Sequence, residues 1–401
     1  MNVSPFHLSP PPAYFVGRKE EKKAFERLVE NAKGGNPRSM AVIGDRGIGK
    51  TALLAEFERI AMQKGCVVVG LELHEGVKTL GYLSVAILDA MQKQLRVLSL
   101  KEKAKNRLLA FFQRVEVKYR DIGVSLRKPE AKAKPELDLH GDLKELWRQL
   151  KEVGVPVVVI QIDEAEGLER IDGALTFLKN TFQKLGQDKC NYVAVLGGKI
   201  DFYKKVEELH SPIARFFPQT ELKPLTIEET AAYVHELMEK RGKTKVSADA
   251  IPAIHVLSDG NPFALNAICD VLFEKAQEAH KTIDKPFLQM FRQELVNKAG
   301  SGLFQKRYVL LSDVEKEILE VIARESSKKW PNGAPSLPEL STSEVAKLTK
   351  KSLPYASSYL DRLAEKECLV KKGRGKFALP YVLFGWYVML ASGSWSNVGK
   401  G

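Results

Sequence analysis

Apolar residues recur three and four positions apart over residues 18–33, which predicts an amphipathic helix ended by Gly34 and Gly35. Residues 39–43 read as a short buried strand, 51–64 as a helix and 67–73 as a second strand. Residues 81–149 are patterned as helix, apart from a charged, proline-bounded stretch at 127–136. The run 155–162 is apolar except for Gln161, the pattern of a central parallel strand covered on both faces, and 192–196 repeats it. Alternating strands and helices imply an α/β layer built on a parallel sheet.

Strand patterns stop near Thr226. Residues 227–241, 248–258, 262–280 and 285–298 read as four helices, the composition of a helical lid. The pattern changes again beyond Leu311, to helices over 311–323, 343–349 and 354–366 and a basic, glycine-punctuated hairpin over 368–379. Ser312 with Glu315 forms a capping box at the first of these helices. The chain thus divides into an extended leader (1–14, with Pro5, Pro10, Pro11 and Pro12), an α/β core (15–224), a lid (225–300) and a C-terminal domain (301–401). No internal repeat is present.

Composition fits this division. A chain of 401 residues, 44% hydrophobic and 28% charged, has material for two or three soluble globular domains. Its net charge of +12 points to a polyanionic partner, nucleic acid before others, although a basic surface also serves solubility. Cys66, Cys190, Cys269 and Cys368 are too scattered for a metal site or a disulfide framework and read as reduced, buried thiols. The N-terminus lacks the pattern of a signal peptide, and the most apolar stretch, 381–391, is too short to span a bilayer and contains Gly385 and Trp386. The expectation is a cytoplasmic protein without membrane contact.

Chemistry concentrates between the first strand and its helix. Gly44-Asp45-Arg46-Gly47-Ile48-Gly49-Lys50-Thr51 matches G-x-x-x-x-G-K-[ST]. Glycines at that spacing let backbone N–H groups turn inward onto phosphates. Lys50 adds a mobile positive charge, the Thr51 hydroxyl is suited to Mg²⁺, and the following helix, with Ala52 in its first turn, presents its positive end. ATP or ADP with Mg²⁺ is the expected ligand. The apolar strand 155–162 leads into Asp163 and Glu164, placed respectively to hold Mg²⁺ through water and to deprotonate the attacking water; read plainly, the pair caps a helix. Lys199, after Gly197 and Gly198 at the end of another strand, is a candidate γ-phosphate sensor. Arg215 is a candidate arginine finger across a subunit interface, or a surface arginine beside Phe216 and Phe217.

Together with Phe15-Val16-Gly17-Arg18-Lys19-Glu20, these motifs resemble AAA+ relatives found widely in archaea, including the archaeal ATPases of the STAND class, with origin-recognition initiators a neighbouring group. The resemblance, over about residues 13–300, implies that Val16, Gly17 and Arg18 lie beside the adenine. Gly260-Asn261-Pro262 resembles the GxP motif of the STAND lid, whose proline approaches the nucleotide. Initiators carry a lid arginine where this chain has none, which favours the STAND-like relatives.

The helix–helix–helix–hairpin order at the C-terminus resembles a winged helix-turn-helix, in which the third helix enters the DNA major groove. Residues 350–376 hold eight basic and three acidic side chains, a net of +5. Tyr355, Ser357, Ser358 and Arg362 are expected on the exposed face of the third helix, with Ala356, Leu360 and Leu363 on its apolar face. Lys371, Lys372, Arg374 and Lys376 fall on the hairpin, positioned to grip phosphates. The combined expectation is an α/β P-loop NTPase with an AAA+-like parallel sheet, a helical lid and a winged helix. It would be an ATPase that self-associates on ATP and acts on DNA in replication, transposition or regulation. The alternative is a signalling or defence scaffold whose winged helix docks protein. A small-molecule kinase has no use for the lid and winged helix.

Overall fold

The computed structural model describes residues 4–6, 14–73, 77–96, 102–125, 138–209, 211–279, 281–328 and 337–397. Pro10–Pro12, the charged stretch 127–136 and most of the proline-rich loop before Pro338 lie outside them. The chain divides into two compact units, Arg18–Lys223, and Met1–Gly17 with Pro224–Gly401.

The unit Arg18–Lys223 is built on strands β1 (Met40–Ile43), β2 (Val67–Glu72), β3 (Val158–Asp163), β4 (Tyr192–Gly198) and β5 (Gln219–Glu221), in the order β2-β3-β4-β1-β5. Every pairing is parallel, so the strands end on one edge. β1 and β4 run in register to Ile43 opposite Gly198, which brings the loop after β1 beside the end of β4. β3 begins later than its apolar pattern suggests. The Val155 N–H bonds the Leu150 carbonyl and closes the preceding helix, and Pro156 has no N–H to give a ladder. β5 was not expected: it is three mostly exposed, polar residues paired on one side only.

The helices Lys19–Lys33, Lys50–Gln63 and Ala174–Gln187 flank the sheet. The predicted helical section resolves into Leu80–Arg96, Glu102–Ser125 and Leu139–Glu152, whose apolar faces join strand residues such as Val69, Ile160 and Ala194 in one core. That core includes the largest fully buried side chains of the unit apart from Phe25, Phe57 and Leu53.

In the other unit, Ile227–Val234 continues through a π-helical turn, His235–Arg241, followed by Ala250–Ser258 and Pro262–Ala279. The single helix expected over 285–298 is two, Lys285–Met290 and Arg292–Val309. Phe291, at φ −104°, leaves the helical region and places its ring 5.1 Å from that of Phe287. The second helix buries Val296, Ala299, Leu303 and Phe304 and runs on through residue 300, where the sequence suggested a boundary.

Asp313–Ser327, β6 (Leu340–Ser341), Thr342–Thr349, Leu353–Glu365, β7 (Val370–Gly373), β8 (Lys376–Ala378) and Val382–Ala391 follow. The three strands form an antiparallel sheet in the order β6-β8-β7; β6, two residues long, has no sequence signature. The capping box at Ser312 forms as expected, with the Ser312 N–H donating to Glu315 at 2.7 Å. One hydrophobic cluster runs from Leu225 to Met389 and includes Phe6 of the leader. The apolar stretch 381–391 is a core helix of that cluster, its Phe384 ring 4.8 Å from Phe304. Among the described residues no helix is long and apolar enough to cross a membrane. All four cysteines are buried and free.

Candidate functional site

β1 is buried along its whole length and delivers Gly44 to the edge where the strands end. The loop then folds tightly around the buried Ile48. A Cβ on Gly44 would lie 2.7 Å from Ile48 Cγ2, and Gly47 and Gly49 take φ of 77° and 96°, which favour glycine. The helix Lys50–Gln63 starts immediately, so its first N–H groups border the loop. Lys50 folds back over the loop, its Nζ donating to the carbonyls of Gly44 at 2.8 Å and Asp45 at 3.0 Å. Burial lowers the proton affinity of Lys50, opposed by the pull of Glu166, Asp163 and Asp45. Asp45 and Arg46 are exposed and Ala52 is half-buried.

The Thr51 hydroxyl donates to Asp163 Oδ2 at 2.6 Å, which joins the loop after β1 to the end of β3. The second oxygen, Oδ1, accepts the Glu164 N–H at 2.9 Å. Gly197 makes room for this carboxylate: a Cβ there would stand 2.8 Å from Asp163 Oδ1. Glu164, at φ 50°, turns β3 into the 3-10 helix Ala165–Arg170, and its exposed carboxylate has no hydrogen bond among the described residues. A group that the motif reading passed over, Glu166, accepts the backbone N–H of Lys199 at 3.3 Å. Its only trace in the sequence is the third acid of Asp163-Glu164-Ala165-Glu166. Lys199 is exposed and its charge acts on Lys50. Arg215 is exposed at the end of the short helix Ser211–Phe216 and donates to Ser211 Oγ at 2.9 Å.

Arg18 is buried at φ 55° and donates from Nη2 to the Ile48 carbonyl at 3.2 Å, so its guanidinium braces the loop. Val16, Gly17 and Pro262 belong to the other unit. Gly17 (φ 84°) sits against Glu229, and Pro262 opens a helix capped by Asn261, whose Oδ1 accepts the N–H groups of Phe263 and Ala264. Just before this loop, Asp259 accepts the Leu383 N–H at 2.8 Å, and burial raises its pKa to about 7.

Further along, Tyr355, Ser358 and Arg362 are exposed on Leu353–Glu365, opposite the buried Ala356, Leu360 and Leu363. The rings of Tyr355 and Tyr359 lie 4.6 Å apart and Arg362 covers Tyr359. On the hairpin, Lys371 pairs with Asp361 at 2.8 Å and Lys376 with Glu339 at 3.4 Å. Lys372 and Arg374 are exposed and have no carboxylate partner among the described residues.

The donor set around Lys50 fits a polyphosphate. The loop is closed by glycine where a side chain would block it, the Lys50 charge rests on carbonyls that phosphate oxygens replace, and an acid–hydroxyl pair of the kind Mg²⁺ favours stands beside it.

Residues 14–195 match the family model of the AAA ATPase domain. No curated protein matches the sequence. Among solved structures, the chain is similar to the ORC2 protein of Aeropyrum pernix in its ADPNP–ADP complexes, with 14% identity, a TM-score of 0.57, and 96% of this chain and 98% of that one covered. It is similar also to a Walker-type ATPase of Pyrococcus abyssi, with 17% identity, a TM-score of 0.51, and 93% and 96% covered. At such identities the likeness is one of fold. The chain therefore carries an AAA ATPase domain in residues 14–195, on a parallel-sheet α/β P-loop fold shared with these two proteins.

Proposed function

We propose that the chain is an ATP-binding and ATP-hydrolysing switch that acts on duplex DNA. The observation that carries the nucleotide half is the 2.6 Å bond from Thr51 to Asp163, which joins phosphate loop and acidic strand end in one site. In this reading Lys50 leaves the Gly44 and Asp45 carbonyls for the β- and γ-phosphates, and the loop N–H groups and the helix end cradle them. Thr51 and Asp163 hold Mg²⁺, which when bound neutralises phosphate charge. Glu164, whose carboxylate is uncommitted, orients a water and takes its proton. Lys199 lies at the strand end where a γ-phosphate sensor belongs, and Arg215 is exposed as an interface finger must be. Val16, Gly17, Arg18 and the Gly260–Pro262 loop are the candidate adenine and sensing segments, by resemblance to STAND-class ATPases.

The DNA half rests on the C-terminal order of helices and hairpin, read as a winged helix, and on its charge. Tyr355, Ser358 and Arg362 offer a polar face for a groove, and Lys372 and Arg374 offer exposed cations for phosphates, with no carboxylate partner among the described residues. The pairing of Lys371 and Lys376 with surface carboxylates favours a second reading, a scaffold whose C-terminal segment docks protein. Duplex-DNA affinity measured against salt, with and without ATP, separates the two. The first reading expects a steep fall with salt, and a slope shallower by about 1.8 for Lys372→Ala plus Arg374→Ala, from roughly 0.9 per phosphate contact. DNA binding that is undetectable at low salt with or without ATP contradicts it.

A further inference from the structure

Three acids stand at the end of β3 and just after it, and their surroundings separate them. Asp163 is committed on both oxygens, to Thr51 and to the Glu164 N–H. Glu164 is exposed. Glu166 differs from both. On the turn Ala165–Arg170, Ala165 and Leu168 point into the core, which leaves the half-buried Glu166 facing the end of β4. There its Oε2 accepts the Lys199 N–H at 3.3 Å and stands 3.5 Å from where a Cβ on Gly198 would be. The end of β4 adjoins the phosphate loop, since the Gly44 N–H donates to the Gly198 carbonyl at 3.3 Å and Lys50 Nζ donates to the Gly44 carbonyl at 2.8 Å. The Glu166 charge thus stands beside the Lys50 pocket and, with those of Asp163 and Asp45, favours the charged form of Lys50.

We propose that Glu166 is a positioning residue of the phosphate pocket, which holds the end of β4 through the Lys199 amide and sets a fixed negative charge beside the place that phosphate enters. This rests on the nucleotide reading above and concerns its regulation. Glu166 partly compensates the cations of the pocket before nucleotide arrives, and it repels the phosphates that then bind beside it. The affinity for nucleotide is thereby set below what Lys50 and the loop alone would give.

The sign of the effect tests this. ADP binding without Mg²⁺ is measured by calorimetry for the wild type, Glu166→Gln, Glu166→Ala and Glu169→Gln. Glu169 lies on the same turn but pairs with Lys205, so its variant is an equal charge change outside the pocket. Glu166→Gln is expected to tighten ADP by about tenfold, the scale of removing one like charge near a half-buried anion site. Glu166→Ala tightens it in the same direction, and Glu169→Gln stays within about twofold. A Glu166 side chain that served only as a prop would weaken binding on substitution. Unchanged or weaker ADP binding by both Glu166 variants, with wild-type melting temperatures, overturns the inference. A wild type that binds no ADP overturns the nucleotide reading and this inference together.

Discussion

Single side chains divide by how local their constraints are. The glycines of the loop, Lys50 and Thr51 were legible in the sequence because each is required by the backbone or the phosphate chemistry of its own eight residues. Asp163 was legible for a similar reason, standing where an all-apolar strand runs out. Glu166 was not, because what defines it is the Lys199 amide just past the end of a different strand. Nor was the placement of Arg18, whose side chain reaches the Ile48 carbonyl thirty residues on. The residue-level account makes Glu164 the proton acceptor. Glu164→Gln is expected to keep ATP binding and to lose turnover by about 100-fold or more, measured as phosphate release. Near-normal turnover removes Glu164 from that role.

Elements were legible where periodicity and burial agreed. The buried strands β1, β3 and β4 and the capped helices fell within a few residues of expectation. β5 and β6 did not, since three polar residues and a pair carry no period, and their existence is decided by a neighbouring strand. The break at Phe291 was equally hidden: the residue suits a helix, and tertiary packing overrides that preference. Asp259 belongs to this scale because it caps the core helix Val382–Ala391 from 124 residues away. Its pKa is raised to about 7 by burial, so the folded protein favours the protonated acid. The associated stability is complete below the ordinary carboxylate range and is lost as pH rises through about 7. Asp259→Asn keeps an accepting oxygen without the charge. Its stability relative to wild type should rise between pH 4 and 7, by up to roughly 1.4 kcal/mol per pH unit, then level off. Parallel melting curves at the two ends of that range check this, and a constant difference contradicts it.

At the scale of the whole molecule, the family match ends at residue 195 and the likeness beyond it is one of fold. What the rest of the chain does was therefore readable only through order of elements and charge. The sequence registered that residues 350–376 are basic, but not that Asp361 and Glu339 pair with two of the hairpin lysines, because those pairings depend on the folded sheet. Self-association on ATP is the remaining expectation at this scale, and Arg215 is its marker. Turnover per chain should rise with protein concentration and fall when Arg215→Ala protein is mixed in. Turnover independent of concentration counts against a finger supplied in trans.

The central claim, that Gly44–Thr51 with Asp163 and Glu164 is a working ATP site, is tested most directly by Mg·ATP binding and phosphate release for wild type beside Lys50→Ala. The wild type is expected to bind Mg·ATP and turn it over slowly, and Lys50→Ala to bind about 100-fold or more weakly, with no turnover. Equal binding and equal turnover by the two proteins would contradict it.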